Sequence, residues 1–356
     1  MASIEDVARK AGVSVRTVSR FLNGTSMVSA ETAMAINAAI AALRYRHGFL
    51  IKGAPPVVGV ISRALSMRID PQEPIGLPEL LIVQGIRSVL AEAGVVMLVG
   101  DPGPGMSQLG TLLATFAAQR FAGVILVAEY HQAISLPRLR GPMQMVMVNC
   151  FDNAGTASVL PDDWRGQYDL VQRLIRAGHR RIGFLTLRPE IVAGRLRLSG
   201  YRAALKDAGI EIDPDLVEDC DFTDQEGEMQ LLWDSLDRLL HNPEPPTVLC
   251  CGNDRMAAKV YQLLTAMGLR IPQDISVAGF DNHRMVAETL DPPLTTVDLP
   301  YSAMGVRAAD RLLSLMAGHA PQLGGPMLVT GPVHWRGSVQ ELRSGQVTTL
   351  RPVSGA

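Results

Sequence analysis

Residues 4–24 read IEDVARKAGVSVRTVSRFLNG, and this stretch decides how the start of the chain folds. Ile4, Val7, Ala8 and Ala11 recur at i, i+3, i+4 and i+7, the apolar face of a helix over 4–11. Ser3 stands where an N-cap belongs, with Asp6 three positions on in a capping-box-like pair. Gly12 follows at once, where a tight left-handed turn between two helices needs a residue without Cβ. Ser14 then caps a second helix over 15–22 that buries Val18 and Leu22 and turns Val15, Arg16, Ser19 and Arg20 outward. Asn23-Gly24 stops it. A third helix over 30–44, capped by Ser29, buries Ala33, Ile36, Ile40 and Leu43.

Helix, glycine turn, short helix with outward arginines, bracing helix: this is the order of a helix-turn-helix, whose second helix enters the major groove of DNA. An arginine fork matches guanine O6 and N7, while Ser and Thr suit phosphates. The same pattern also fits a packing module in which Arg16 and Arg20, at i and i+4, are simply solvated. Charge favours DNA. The chain as a whole carries −2, but residues 1–52 hold seven Lys/Arg against three acids, +4, leaving −6 for the rest. A basic head on an acidic body suits a protein of which one part meets phosphate.

With 356 residues, 47% hydrophobic and 19% charged, there is material for two or three compact cores and no sign of disorder. No apolar run reaches the roughly 18–20 residues that span a bilayer. MASIEDVARKAG lacks the charged head and apolar stretch of a secretory signal. A cytoplasmic location with no membrane partner is expected. Cys150, Cys220, Cys250 and Cys251 show neither CxxC spacing nor a nearby His pair, so structural thiols are expected, with no metal and no cofactor.

The run at 4–24, continued by VSAETAMAINAAIAALRY at 28–45, resembles the DNA-binding head of the lactose-repressor/galactose-repressor (LacI/GalR) family. Position by position, the resemblance implies Val15, Arg16 and Arg20 as base readers and Ser14, Thr17, Ser19 and Asn23 as contacts to the DNA backbone. It also implies a homodimer with two heads on a near-palindromic double-stranded operator. The family follows its third helix with Pro-Asn and an Ala-Arg-x-Leu hinge helix, whose Leu wedges into the minor groove. Here RHGFLIKGAPPVVGV follows Tyr45, without Pro-Asn, and Gly53-Ala54-Pro55-Pro56 cannot extend a helix. Either Phe49, Leu50 and Ile51 supply the wedge, or 48–56 is a plain linker.

From residue 57 short apolar runs alternate with amphipathic stretches. Strands are expected at 57–62, 95–99, 123–127 and 144–149, with helices at 79–93 and 107–120. A second series follows: helix 163–177, strand 181–186, helices 196–208 and 224–241, strand 247–251, helix 253–267 and strand 275–280. The alternation predicts an α/β body over 57–338, two doubly wound subdomains flanking a ligand cleft at the strands' carboxyl ends. The head then occupies 1–47. The tail over 339–356 ends in RSGQVTTLRPVSGA, which has no leucine heptads for a tetramerising coil.

LIRAGHRRIGFLT, RLRLSGYRAALKDAGI, CGNDRMA, IPQDISVAGFDN and PPLTTVDLP resemble blocks of the same family, in its order, and extend the resemblance over 2–338. This implies a body similar to periplasmic sugar-binding proteins. It implies that Arg197 forks onto ligand hydroxyls or a carboxylate, and that Asn253 and Asp281, just past two strands, contact the ligand. Asn149, closing the last strand of the first half, and Phe222, as an aromatic platform for a pyranose face, complete the set. For Arg197, Asn253 and Asp281 the other reading is helix capping or an ion pair at the cleft edge. Leu299 stands where relatives often carry a polar contact. The long connection over 63–78 brings Arg68 and Asp70 either to the cleft mouth or into solvent.

Together these readings point to a transcription regulator, a repressor whose operator affinity answers to a sugar-like small molecule. A small-molecule receptor with weak or lost operator specificity fits the body but not the basic head. An enzyme is not expected: GxxxxGK[ST], HExxH and G-x-S-x-G are absent, and GDPGPG at 100–105 reads as a turn, because its prolines remove amide donors.

Overall fold

The computed structural model describes residues 4–22, 28–43, 55–63, 78–137, 143–188, 191–220, 225–318 and 325–342. The head is three helices, α1 (Ile4–Ala11), α2 (Val15–Leu22) and α3 (Ala30–Leu43). Val7, Ala8, Val18, Ile36 and Ala39 close into a core of their own, ringed by Ala11, Val13, Phe21, Ile40 and Leu43. Ala39 thus takes the central place expected for Ala33, which is only half-buried near the start of α3.

Local chemistry makes the joints. Gly12 turns with φ 68°. The Ser14 Oγ accepts the Thr17 N–H at 3.0 Å, and the Ser29 Oγ accepts the Thr32 N–H at 3.1 Å. Each such cap is worth about 1 kcal/mol. Ser3, Asn23 and the hinge segment with Phe49, Leu50, Ile51 and Ala54 lie outside the described residues.

The body runs β1 (Val57–Ile61), α4 (Pro78–Glu92), β2 (Val96–Gly100), α5 (Leu109–Ala118), β3 (Gly123–Ala133), β4 (Gln144–Phe151) and β5 (Ser158–Pro161). It continues with α6 (Asp163–Arg176), β6 (Ile182–Thr186), α7 (Val192–Asp207), β7 (Val217–Asp219), α8 (Gln225–Leu240), β8 (Val248–Cys251), α9 (Asp254–Ala266) and β9 (Ser276–Asp281). It ends with α10 (Arg284–Ala287), β10 (Thr295–Asp298), α11 (Tyr301–Met316), β11 (Met327–Val329) and β12 (Val333–His334).

Two six-stranded sheets result, ordered β11-β5-β4-β3-β1-β2 and β12-β10-β9-β8-β6-β7. All the pairings are parallel except β10 with β12. Helices cover both faces, so the central strands, such as β6 and β8, are buried throughout.

The halves are not consecutive, as the sequence reading had them. Asn149 lies inside β4 rather than closing the last strand, because β5 and the distant β11 extend the first sheet. The chain crosses between halves after β5, after β10 and after β11. The second crossing delivers α11 back onto α4 of the first half. Met304, Ala308, Leu312 and Leu315, one face of α11, pack with Ile82, Ile86 and Leu90 of α4. The contact is close because it is lined with glycine: a Cβ on Gly305 would collide with the Ile82 carbonyl oxygen, and one on Gly85 with that of Ser302.

Candidate functional site

Two regions carry the expected chemistry. On the head, α2 presents Val15, 40% exposed, and Arg16, also exposed, on its first turn, away from the core formed by Val18. Thr17 is half-buried, and its hydroxyl bonds the capping Ser14 Oγ at 2.7 Å. Ser19 and Arg20 lie on the following turn of α2, and Asn23 is outside the described residues. The helix contains no acidic residue to oppose phosphate.

In the body, Arg197 is the centre of a buried cluster. It sits in the second turn of α7, which begins earlier than its periodicity suggested, and is 4% exposed. Its Nε donates to Asp163 Oδ1 at 2.7 Å, one Nη donates to the Gly252 carbonyl, and the other lies 3.5 Å from Asp281 Oδ1. The guanidinium stacks over the Phe280 ring at 3.7 Å. On the other side of Asp163, Oδ2 is 2.7 Å from His131 Nδ1 of β3.

Burial opposes ionisation of Asp163, but Arg197 and His131 outweigh it and hold its carboxyl below the usual range. Asp281 goes the other way. Burial pushes it up to about 7 against the pull of Arg197, with Asp163 adding to the rise. Its φ of 121° is a backbone state L residues rarely adopt, a mark of a constrained site.

Asn149 also has a left-handed φ, 59°. Opposite it, the register of β3 against β4 slips between Val127 and Gln132. The Asn149 Nδ2 donates to the Ala128 and Glu129 carbonyls at 3.1 and 3.0 Å, within the span where the ladder is interrupted. Asn253 caps α9, its Oδ1 accepting the Met256 N–H at 2.8 Å. Phe222, Arg68 and Asp70 lie outside the described residues. Leu299 is buried in the second half's core beside Phe280.

The structure therefore gathers Arg197 and Asp281, buries Asn149 in β4 against the β3 carbonyls, and gives Asn253 a capping role. Asp163 and His131 complete the cluster and were not legible in the sequence. Neither was Glu79, buried at the start of α4, whose Oε2 accepts the Ser62 hydroxyl at 2.7 Å and whose pKa is raised by burial. A polar doublet, Asp162-Asp163, opening an apolar-faced helix was the available signal.

A hollow of about 750 Å³ opens beside this region on the first half, between Arg63, Met106, Leu109, Glu129, Tyr130 and Ile134. Arg197 and its partners do not line it. The four cysteines are buried and unpaired with one another, and burial pushes the Cys220 and Cys250 thiols up to about 12. Among the described residues no trio of His, Cys, Asp or Glu is placed to hold a metal, and no helix is long and apolar enough to cross a membrane.

Residues 3–47 match the family described as bacterial regulatory proteins, lacI family, and residues 171–339 match a periplasmic binding protein-like domain. The ribose operon repressor of Escherichia coli K12 is 32% identical over 324 residues, which cover 88% of this chain and 92% of that one. The chain belongs to the LacI family. The transcriptional repressor PurR of Klebsiella pneumoniae is 30% identical over 325 residues, covering 88% of this chain and 90% of its own. The solved lac repressor dimer, bound to operator and the anti-inducer ONPF, superposes with a TM-score of 0.64 at 27% identity, over 95% of this chain and 99% of that one. A complex of the regulator CelR with cellobiose gives 0.62 at 29%, over 95% and 100%. This LacI-family protein is a DNA-binding transcription regulator: a helix-turn-helix head joined to a two-sheet α/β body that answers to a small molecule.

Proposed function

We propose that this LacI-family regulator is a cytoplasmic homodimeric repressor whose two heads, residues 1–47, grip a near-palindromic operator, and whose body, 57–338, binds a sugar-like effector between its halves. Residues 48–56 form the hinge, and the body extends beyond 338 into the expected tail, because Val339 packs in the second half's core and Gln340 bonds His179. The observation that carries this reading is the pairing, on one chain, of an acid-free recognition helix presenting Val15 and Arg16 with a body whose strand ends converge on Arg197, Asp163 and Asp281. In the head, Val15, Arg16 and Arg20 read base edges, while Ser14, Thr17, Ser19 and Asn23 meet the backbone.

Arg197, Asp281, Asn149 and Asn253 meet the effector's polar groups, with Phe222 as the platform for a pyranose face. Arg197 is nearly inaccessible as it stands, so an effector reaches it only when the halves part. The resulting preference for one arrangement over the other is what a ligand needs in order to move the heads. Dimerisation is supported by an apolar surface on the first half: Leu80 and Leu81 of α4, and Val96 and Leu98 of β2, an edge strand, are all exposed. The repressors similar to this chain supply no catalytic precedent, and the regulator acts by binding alone.

The test is thermal melting of the full chain with ribose, glucose, galactose, cellobiose and hypoxanthine in turn, paired with retention on DNA. A saturable rise in melting temperature with one sugar, accompanied by a change in DNA retention, is expected. A response to hypoxanthine alone would replace the sugar reading by a nucleobase one.

A further inference from the structure

Asp163 is more expensive than its place at the start of α6 requires. Asp162 already caps the helix, its Oδ1 accepting the Arg165 N–H at 3.0 Å. Asp163 is therefore free of that duty, yet it is 0% exposed and divides its two oxygens between the halves. Oδ2 takes His131, 4% exposed, from β3 of the first sheet, and Oδ1 takes Arg197 from α7 beside the second. A buried ion pair is a poor way to gain stability, because desolvation consumes most of the attraction. Apolar residues in place of the whole cluster would serve folding as well, whereas removing one partner alone would not.

Two further costly features converge on the same contact. The register slip in β3 leaves the ladder between Val127 and Gln132 and so releases His131 toward Asp163. The left-handed Asn149 props that segment through the Ala128 and Glu129 carbonyls. The site also lies at the first crossing between halves, where the Asp162 N–H donates to the Val329 carbonyl of the third crossing at 3.1 Å.

We propose that Asp163 is a positioning residue that fixes the resting angle between the two halves, holding Arg197 with one oxygen and the first sheet, through His131, with the other. An effector that displaces Arg197 then necessarily disturbs the His131 contact, and the first half registers it. This deepens the effector reading above, but its test needs neither effector nor DNA, so the two stand or fall separately.

The experiment is single-molecule energy transfer in the full chain, labelled at Gln119→Cys on the first half and Gln262→Cys on the second and diluted with unlabelled chain. The four native thiols are buried and spared by the dye. Removing the contact with His131→Leu is expected to add a second distance population, raising the ratio of displaced to resting molecules roughly tenfold, as for a lost hydrogen bond to a charged group. His131→Gln, which can still donate to the carboxylate, is expected to restore the single population. An unchanged distribution in His131→Leu, or an equal change with Gln, would overturn the proposal, because filling space would then be all that His131 does. Should His131→Leu fail to fold, Asp163→Glu is read in the same way: it keeps the charge and shifts the carboxylate by one methylene, and an unaltered distribution again overturns the proposal.

Discussion

Arg197 is held by two carboxylates and a carbonyl at 4% exposure, so truncating it leaves Asp163 and Asp281 without their cation. Breaking a buried pair from one side costs about 3–5 kcal/mol. Urea unfolding of Arg197→Ala is expected to show a loss of that size; a loss below about 1 kcal/mol would mean that the cluster is not a buried network at all. His179 gives a pH signature. It is fully buried, its Nε2–H donating to the Gln340 carbonyl at 3.1 Å and its Nδ1 accepting from the Thr247 hydroxyl at 2.8 Å. Burial lowers its pKa from 6.5 to about 4. A depressed folded-state histidine contributes stability that is complete above pH 6.5 and is lost as pH falls toward 4, about 3 kcal/mol in all. Asp281, raised from 3.8 to about 7, acts with the opposite sign across the same window, its stabilisation fading as pH rises. The quantity to measure is therefore the difference between wild type and His179→Asn, which should shrink as pH falls from 7 to 4; a constant difference would contradict the assignment. At this scale the sequence was legible where the physics is local. Ser14, Ser29 and Gly12 act within four residues of themselves, and all three were readable. Asp163 and His131 stand 32 residues apart and meet only because a strand slips register, which no periodicity announces.

Among elements, most of the regular ones were legible to within a few residues, although β3 runs six residues past the expected 127. The periodicity of α9 and the apolar runs of β6 and β8 depend on nothing beyond their own stretch of chain. α11 shows where this stops, because it was not read from the sequence and its partner surface could not have been. Its face of Met304, Ala308, Leu312 and Leu315 has helical spacing, but spacing does not say which surface it covers, and it covers the half the chain had left far behind. The glycines name the partner only in retrospect. Gly305→Ala is expected to force α11 off α4 and cost about 1–3 kcal/mol, read as a lower urea midpoint with unchanged slope. A midpoint within error of wild type would mean the helices can separate freely at that point. The short strands β5, β7, β10, β11 and β12 were missed because each holds four residues or fewer and owes its existence to a neighbour across the sheet.

At the scale of the molecule, head, body and family were readable because each rests on many residues in order. The three crossings were not, since they are a property of topology. The exposed leucines on β2 and α4 matter here: Leu81 is 47% and Leu98 is 48% exposed, and a second copy is the proposed cover. Leu98→Asp is expected to shift the protein from dimer to monomer in sedimentation velocity at micromolar concentration. It should also weaken binding to a palindromic site while leaving the head folded; a dimer unchanged by the substitution would move the interface elsewhere. The most direct measurement concerns DNA. Genomic fragments are retained on purified full-length protein at near-physiological salt and sequenced, with Arg16→Ala in parallel. The expected result is one enriched near-palindrome for the wild type, and for Arg16→Ala a loss of about 1–3 kcal/mol with base preference relaxed at one symmetric position. Enrichment of no sequence, or uniform weakening of all fragments by Arg16→Ala, would contradict the claim that the second helix of the head reads bases.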